Sequence, residues 1–282
     1  MPFKEEGYSK MQMHLTQEQI QFYRTNGFLV IEGFLTAEEL AQWQRVTDEA
    51  VTMSLQSEGD FFATLNNQKD PDAFYARVFT QCLKLAEIHP EMRDLIYDAR
   101  LGKMAATLAG VEGIRVWHDQ ALYKPPFGNP TGWHLDNPYW SFYSRDSLSL
   151  WVALDDATLS NGCMYYIPGS HLQATYENSG IGQNVGDLFR IYPQWRDVEP
   201  VACPCPAGSA VFHNGLTAHG AGANMTNRPR RAMTCGYMPD GSTYNGVNRN
   251  ILPEDYFQTL KAGDIFNDNA INPLIWHQSW EA

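Results

Sequence analysis

Apolar and polar positions change rhythm once along this chain, near residue 114. Before that point the pattern is helical. Thr16-Gln17-Glu18-Gln19 is a capping-box sequence, and Thr36-Ala37-Glu38-Glu39 repeats it. Asn26-Gly27 ends the first helix, Phe28–Ile31 reads as a short strand, and the second helix runs from Ala37 into the fifties. Residues 58–72 are polar and turn-rich and predict a loop. Two more helices are expected over 73–88 and 91–109, divided at Pro90.

Beyond residue 114, short β-rich runs alternate with turn signals. The runs are Ala121–Lys124, Ser147–Leu154, Met164–Ile167, Ala210–His213 and Ala232–Met238. Pro125-Pro126, Asn161-Gly162, Pro168-Gly169 and Pro206-Ala207-Gly208 punctuate them. Many short strands between Gly/Pro turns predict a sandwich or barrel, most simply a jelly roll. The expected fold class is mainly β with an α cover (α+β). A further helix is expected over 253–262. No linker separates the halves, so residues 1–282 are expected to form one domain. About 1–113 is its helical cover, about 114–250 its β core and 251–282 a C-terminal segment.

Composition narrows the function. The net charge of −12 opposes a general attraction to nucleic acid or anionic lipid. No run of about 18 apolar residues is long enough to cross a membrane, and the N-terminal residues have no apolar core of signal-peptide length. A cytoplasmic protein is expected. The five cysteines are odd in number and irregularly spaced, which predicts reduced thiols rather than a disulfide framework. Asn224-Met225-Thr226 matches a glycosylation sequon, read here as chance.

The candidate chemistry begins at His134-x-Asp136. Residues at i and i+2 point the same way on a strand, so both can reach one ion if 133–137 is extended. Pro138 favours extension before it. A second histidine would complete a 2-His-1-carboxylate triad with open positions, the arrangement of non-haem Fe(II) oxygenases. His219 is the first choice and His213 the second; both lie near the densest basic cluster of an acidic chain, Arg228, Arg230 and Arg231. A buried arginine fork beside a metal suits a co-substrate with a chelating end and a carboxylate end, and 2-oxoglutarate is such a molecule.

These residues sit in a longer series: "NGFLVIEGFL", "LYKPP", "WHLDNPYW", "LSLWVALDDATLSNGCMYYIPGSH" and "HGAGANMTNRPRRA". The ordered series resembles the phytanoyl-CoA dioxygenase family of Fe(II)/2-oxoglutarate-dependent oxygenases over most of the chain. The resemblance implies a double-stranded β-helix, with His134, Asp136 and His219 as Fe(II) ligands. It places the co-substrate arginine eleven positions after the distal histidine, at Arg230, and puts Trp151 and Gln120 in the 2-oxoglutarate pocket. Asp136 stands where related halogenases carry a small residue, so hydroxylation of a C–H bond is expected, with O2 consumed and succinate and CO2 released.

Tyr139, Trp140 and Asn137 are the candidate substrate contacts, and of Tyr139 and Trp140 only one faces the site if they alternate on a strand. The expected partner is a small-molecule substrate, a natural-product intermediate rather than an acyl-CoA, because no basic patch is present for a phosphate-rich tail. Residues 172–200 form a lid or a long surface loop. The competing reading is a non-catalytic or zinc-loaded cupin-like binding module. The sequence sets no oligomeric state.

Overall fold

The computed structural model describes residues 11, 14–56, 74–249 and 251–281. The loop expected over 58–72 lies outside them. Helix α1 (Gln17–Asn26) starts at a complete capping box. Gln19 N donates to Thr16 Oγ1 at 3.1 Å and Thr16 N to Gln19 Oε1 at 2.9 Å. Gly27 ends the helix with φ of 84°, a left-handed conformation that glycine adopts without steric cost. Strand β1 (Phe28–Ile31) follows. Thr36 and Glu39 then exchange the same pair of bonds before α2 (Ala37–Gln56).

The helix expected over 73–88 is a correction. Tyr75–Arg77 is a single 3-10 turn, Thr80–Leu83 is strand β2, and only α3 (Leu85–Ile88) is helical. Strand β2 pairs antiparallel with residues 120–123 of β3 (Gly113–Lys124), which supplies backbone partners that local helix propensity cannot match. The helix expected over 91–109 is two helices. Pro90 opens α4 (Pro90–Ile96), and Asp98 caps the first turn of α5 (Ala99–Ala109) by accepting from Arg100 N at 2.8 Å.

The remaining strands are β4 (Thr131–His134), β5 (Leu148–Ala153), β6 (Met164–Tyr166), β7 (Val201–Cys203), β8 (Ala210–Asn214), β9 (His219–Ala221), β10 (Arg230–Pro239) and β11 (Leu274–His277). They form two antiparallel sheets. The larger runs β1-β8-β5-β10-β3-β11, with β2 also on β3, and the smaller runs β4-β9-β6-β7. Short α6 (Leu188–Ile191) lies within 172–200, and α7 (Glu254–Thr259) is the expected late helix.

Alternation along each strand sorts the two faces of the large sheet. Leu148, Leu150, Val152, Ala210, Phe212, Met233 and Cys235 pack with Trp43, Val46, Leu101 and Met104 of the helices. The intervening Trp151, Ala153, Val211 and Ala232 pack against Met164, Tyr166, Cys203 and Ala221 of the small sheet. The helices therefore cover the outer face, and a second core fills the space between the sheets. This is the double-stranded β-helix, or jelly roll. The five cysteines are buried and free. Asn224, in the chance sequon, is buried, and its amide donates to the carbonyls of Pro125 and Arg228. Among the described residues no helix is long and apolar enough to cross a membrane.

Candidate metal and co-substrate site

His134 ends β4 and His219 begins β9, and the two residues pair directly across these strands. Their ring centroids are 4.2 Å apart. Asp136 joins them by a different route from the extended one expected. Its backbone is right-handed helical, with φ −76° and ψ −50°, and leads into the 3-10 turn Asn137–Tyr139. The strand stops at His134, and the turn, not strand alternation, brings the carboxylate round.

The ligand atoms of His134, Asp136 and His219 all lie within 4.8 Å of one another. Asp136 Oδ1 is 3.6 Å from Nε2 of both histidines, too far for hydrogen bonds and suited to a shared ion. Each Nδ1 faces a backbone carbonyl, Gly132 O at 2.8 Å for His134 and Thr217 O at 2.9 Å for His219. A carbonyl only accepts, so each Nδ1 carries the proton and each Nε2 keeps its lone pair for a metal. Burial holds both imidazoles below their ordinary pKa, in the neutral form a ligand needs. Burial raises the Asp136 pKa, but its histidine surroundings, with the hydrogen bond from His213, outweigh this and hold the carboxyl below the usual range, ionised.

The other carboxylate oxygen is held from behind. Asp136 Oδ2 accepts from Ser149 Oγ at 2.6 Å and from His213 Nε2 at 3.0 Å, and His213 Nδ1 lies 3.2 Å from the Tyr166 hydroxyl. His213, the second choice for third ligand, thus orients the carboxylate, and His219 completes the triad.

A cavity of about 510 Å³ opens on the triad. At one end is Arg230, the first residue of β10, fully buried. Its Nη2 donates to Gly162 O at 3.3 Å, while Nε and Nη1 have no partner. Burial lowers its pKa to about 10, so it stays charged near neutrality. The guanidinium lies 5.2 Å from the Trp151 ring, and Trp151 and Gln120 line the cavity too. Alternation on β10 separates Arg231 from Arg230, and Arg228 precedes the strand. Arg231 binds Asp155 and Asp48 on the far side, and Arg228 is exposed. Gln120 Oε1 accepts from Gln81 Nε2 at 2.5 Å, and Gln81 Oε1 accepts from the Tyr75 hydroxyl at 2.8 Å. A charged donor with two unpaired nitrogens, lining the same cavity as a metal-type triad, fits a dicarboxylate that also chelates.

At the other end Tyr139 and Trp140 both line the cavity, because they leave a 3-10 turn rather than alternate on a strand. Asn137 is a correction: it is fully buried off the cavity, and its Oδ1 accepts from Ser144 N at 3.2 Å. Sequence reasoning missed His118, which lines the cavity with an unpartnered Nδ1 and whose pKa burial lowers to about 4. It stands two residues before Gln120 on β3, so strand alternation from Gln120 would have found it. Gly180, Ile181, Gly236, Arg249 and Ile251 complete this end.

The model of the phytanoyl-CoA dioxygenase (PhyH) family matches residues 23–232. A phytanoyl-CoA dioxygenase of Arabidopsis thaliana is 25% identical over 275 residues, covering 86% of this chain and 97% of that protein. A methylphosphonate hydroxylase of Gimesia maris is 26% identical over 250 residues, covering 88% and 87%. Among solved structures, the non-haem α-ketoglutarate-dependent carbocyclase SnoK from nogalamycin biosynthesis is similar with a TM-score of 0.76 and 27% identity, covering 95% of this chain and 99% of that one. The epimerase SnoN from the same biosynthesis gives 0.72 and 25%, covering 92% and 98%. The chain belongs to the phytanoyl-CoA dioxygenase family and is an Fe(II)- and 2-oxoglutarate-dependent oxygenase acting on a small molecule.

Proposed function

We propose that His134, Asp136 and His219 hold Fe(II), that Arg230 binds the far carboxylate of 2-oxoglutarate beside Trp151 and Gln120, and that the enzyme hydroxylates a C–H bond of a small natural-product intermediate. With O2 and 2-oxoglutarate the iron supplies the oxidant for C–H cleavage, and succinate and CO2 leave. The protein's part is positional. His134 and His219 present fixed Nε2 lone pairs, and Ser149 and His213 hold Asp136 so that Oδ1 faces them. Trp140, Ile251, Leu83 and Met164 give the cavity apolar walls that exclude water. His118, whose burial lowers its pKa to about 4 and so leaves it neutral near pH 7, offers a hydrogen bond to a hydroxyl or carbonyl of the substrate. The similarity to a carbocyclase and an epimerase of antibiotic biosynthesis supports a natural-product substrate.

Residues 1–282 act as a single oxygenase domain in this reading. The five buried free thiols fit a reducing, cytoplasmic setting.

The observation that carries the reading is the fully buried Arg230 with two unpartnered nitrogens on the triad's cavity. A zinc-loaded binding module has no use for it. The test adds 2-oxoglutarate to anaerobic Fe(II) protein and looks for the visible charge-transfer band of a chelated 2-oxo acid. Wild-type protein without the band overturns the co-substrate assignment. Succinate released above background then identifies substrates, with hydroxyl- or carbonyl-bearing compounds expected to lose their advantage over deoxy analogues in His118→Phe.

A further inference from the structure

We propose that Asn178 is a positioning residue for the iron, acting through the backbone of Leu135. The inference rests on the ligand set proposed above and adds a group that no ligand assignment includes. Leu135 lies between His134 and Asp136, just past the end of β4. Its N–H and C=O are next to a buried site and need partners. The Asn178 carboxamide supplies both. Leu135 N donates to Asn178 Oδ1 at 3.1 Å, and Asn178 Nδ2 donates to Leu135 O at 2.7 Å. The backbone groups fix which amide atom is oxygen, because an N–H only donates and a carbonyl only accepts. One side chain thereby replaces the pair of bonds a neighbouring strand would make. The Leu135 side chain is fully buried with Leu216, Ala218 and Trp195, so the residue is pinned on both sides.

The same segment is tied to the ligand stretch at other points. Trp133 N donates to Val185 O at 2.9 Å, Ser179 Oγ to Trp133 O at 3.3 Å, and the Tyr139 hydroxyl to Ser179 O at 2.7 Å. Gly180 and Ile181, in this segment, line the cavity. Part of the 172–200 stretch is therefore both a cavity wall and the brace that sets the spacing of His134 and Asp136. Of these ties, only Asn178 grips the residue between the two ligands. Partners behind metal ligands typically change metal affinity about 10–100-fold when removed.

The test reads the brace with and without metal. In metal-free wild type the Leu135 amide is expected to be protected from hydrogen exchange. In Asn178→Ala it exchanges at least about tenfold faster, while the thermal midpoint falls by only several degrees below that of the Glu177→Ala control and unfolding stays cooperative. In the anaerobic Fe(II)·2-oxoglutarate complex, Asn178→Ala is expected to weaken Fe(II) about tenfold or more and shift the charge-transfer band. Glu177→Ala leaves both unchanged. Wild-type Fe(II) affinity with an unshifted band in Asn178→Ala overturns the proposal. So does a Leu135 amide that exchanges like an exposed one in wild type, a measurement that needs no variant. Absence of the band from wild type overturns the co-substrate assignment alone; failure of wild type to bind Fe(II) overturns the iron assignment, and this proposal with it.

Discussion

His213 Nε2 lies 3.0 Å from Asp136 Oδ2, while Asp136 Oδ1 stays 3.6 Å from both His134 and His219. The carboxylate divides its two oxygens, one toward the metal-type cluster and one toward the sheet. The register explains this. His213, Ser149, Gly236 and His118 form one row across β8, β5, β10 and β3. The first two of the row bond Asp136, and the last two line the substrate end.

His213→Phe is therefore expected to weaken Fe(II) by about 10–100-fold without abolishing binding. His219→Ala removes a ligand and is expected to cost far more. Anaerobic Fe(II) titration of both variants checks this. Equal, complete loss in the two would make His213 a ligand.

Arg230→Met should separate stability from function. It removes a buried cation with two unsatisfied nitrogens, so the metal-free protein is expected to gain about 1–3 kcal/mol. Affinity for 2-oxoglutarate is expected to fall roughly a hundredfold or more, since losing one partner of a buried charge pair costs about 2–5 kcal/mol. Urea unfolding and titration of the charge-transfer band measure the two effects.

Lys124 faces Arg230 in the β3–β10 ladder and is fully buried, with Nζ 2.6 Å from Asn129 O. Burial, and then Arg230, lower its pKa to about 7 from 10.5. Between these values the unfolded chain holds the proton and the folded chain does not. This lysine therefore makes stability rise with pH above about 7, by at most about 1.4 kcal/mol per pH unit. Below about 7 both states are protonated and its slope vanishes. Urea midpoints from pH 7 to 9.5 should rise less in Lys124→Met than in wild type.

Gly236 is the gap in the row. A Cβ there would lie 3.1 Å from Trp140 Cζ2 and 3.2 Å from His118. Gly236→Ala is expected to cost about 1–3 kcal/mol and to shrink the substrate end. The 2-oxoglutarate band should persist while substrate-stimulated succinate falls. Equal loss of both would mean that Gly236 supports the co-substrate end instead.

Legibility followed the range of each interaction. Capping at Thr16 and Thr36 and the left-handed Gly27 are contained in a few consecutive residues, and the structure has them as expected. The strands expected at Ser147–Leu154 and Ala232–Met238, found at Leu148–Ala153 and Arg230–Pro239, were readable because a strand buried on both faces is a near-continuous apolar run bounded by turn residues. Strand β2 was read as helix because its identity depends on an edge of β3 some forty residues away. In the small sheet β6 was expected, as Met164–Ile167, whereas β7 and β9, of three residues each, carry too little pattern to be seen alone.

The sequence by itself determined the chemical inventory: the fold class, the histidines and carboxylate available to a metal, and, through motif resemblance, their likeness to an oxygenase. Tertiary structure decided the roles. Cross-strand register pairs His134 with His219 and turns Arg230 inward while Arg231 faces out; a turn, not a strand, delivers Asp136; and a loop more than forty residues on sends Asn178 back to Leu135. The physical reason is that side-chain type is local, whereas burial and hydrogen-bond partnership are set by which distant backbones pair.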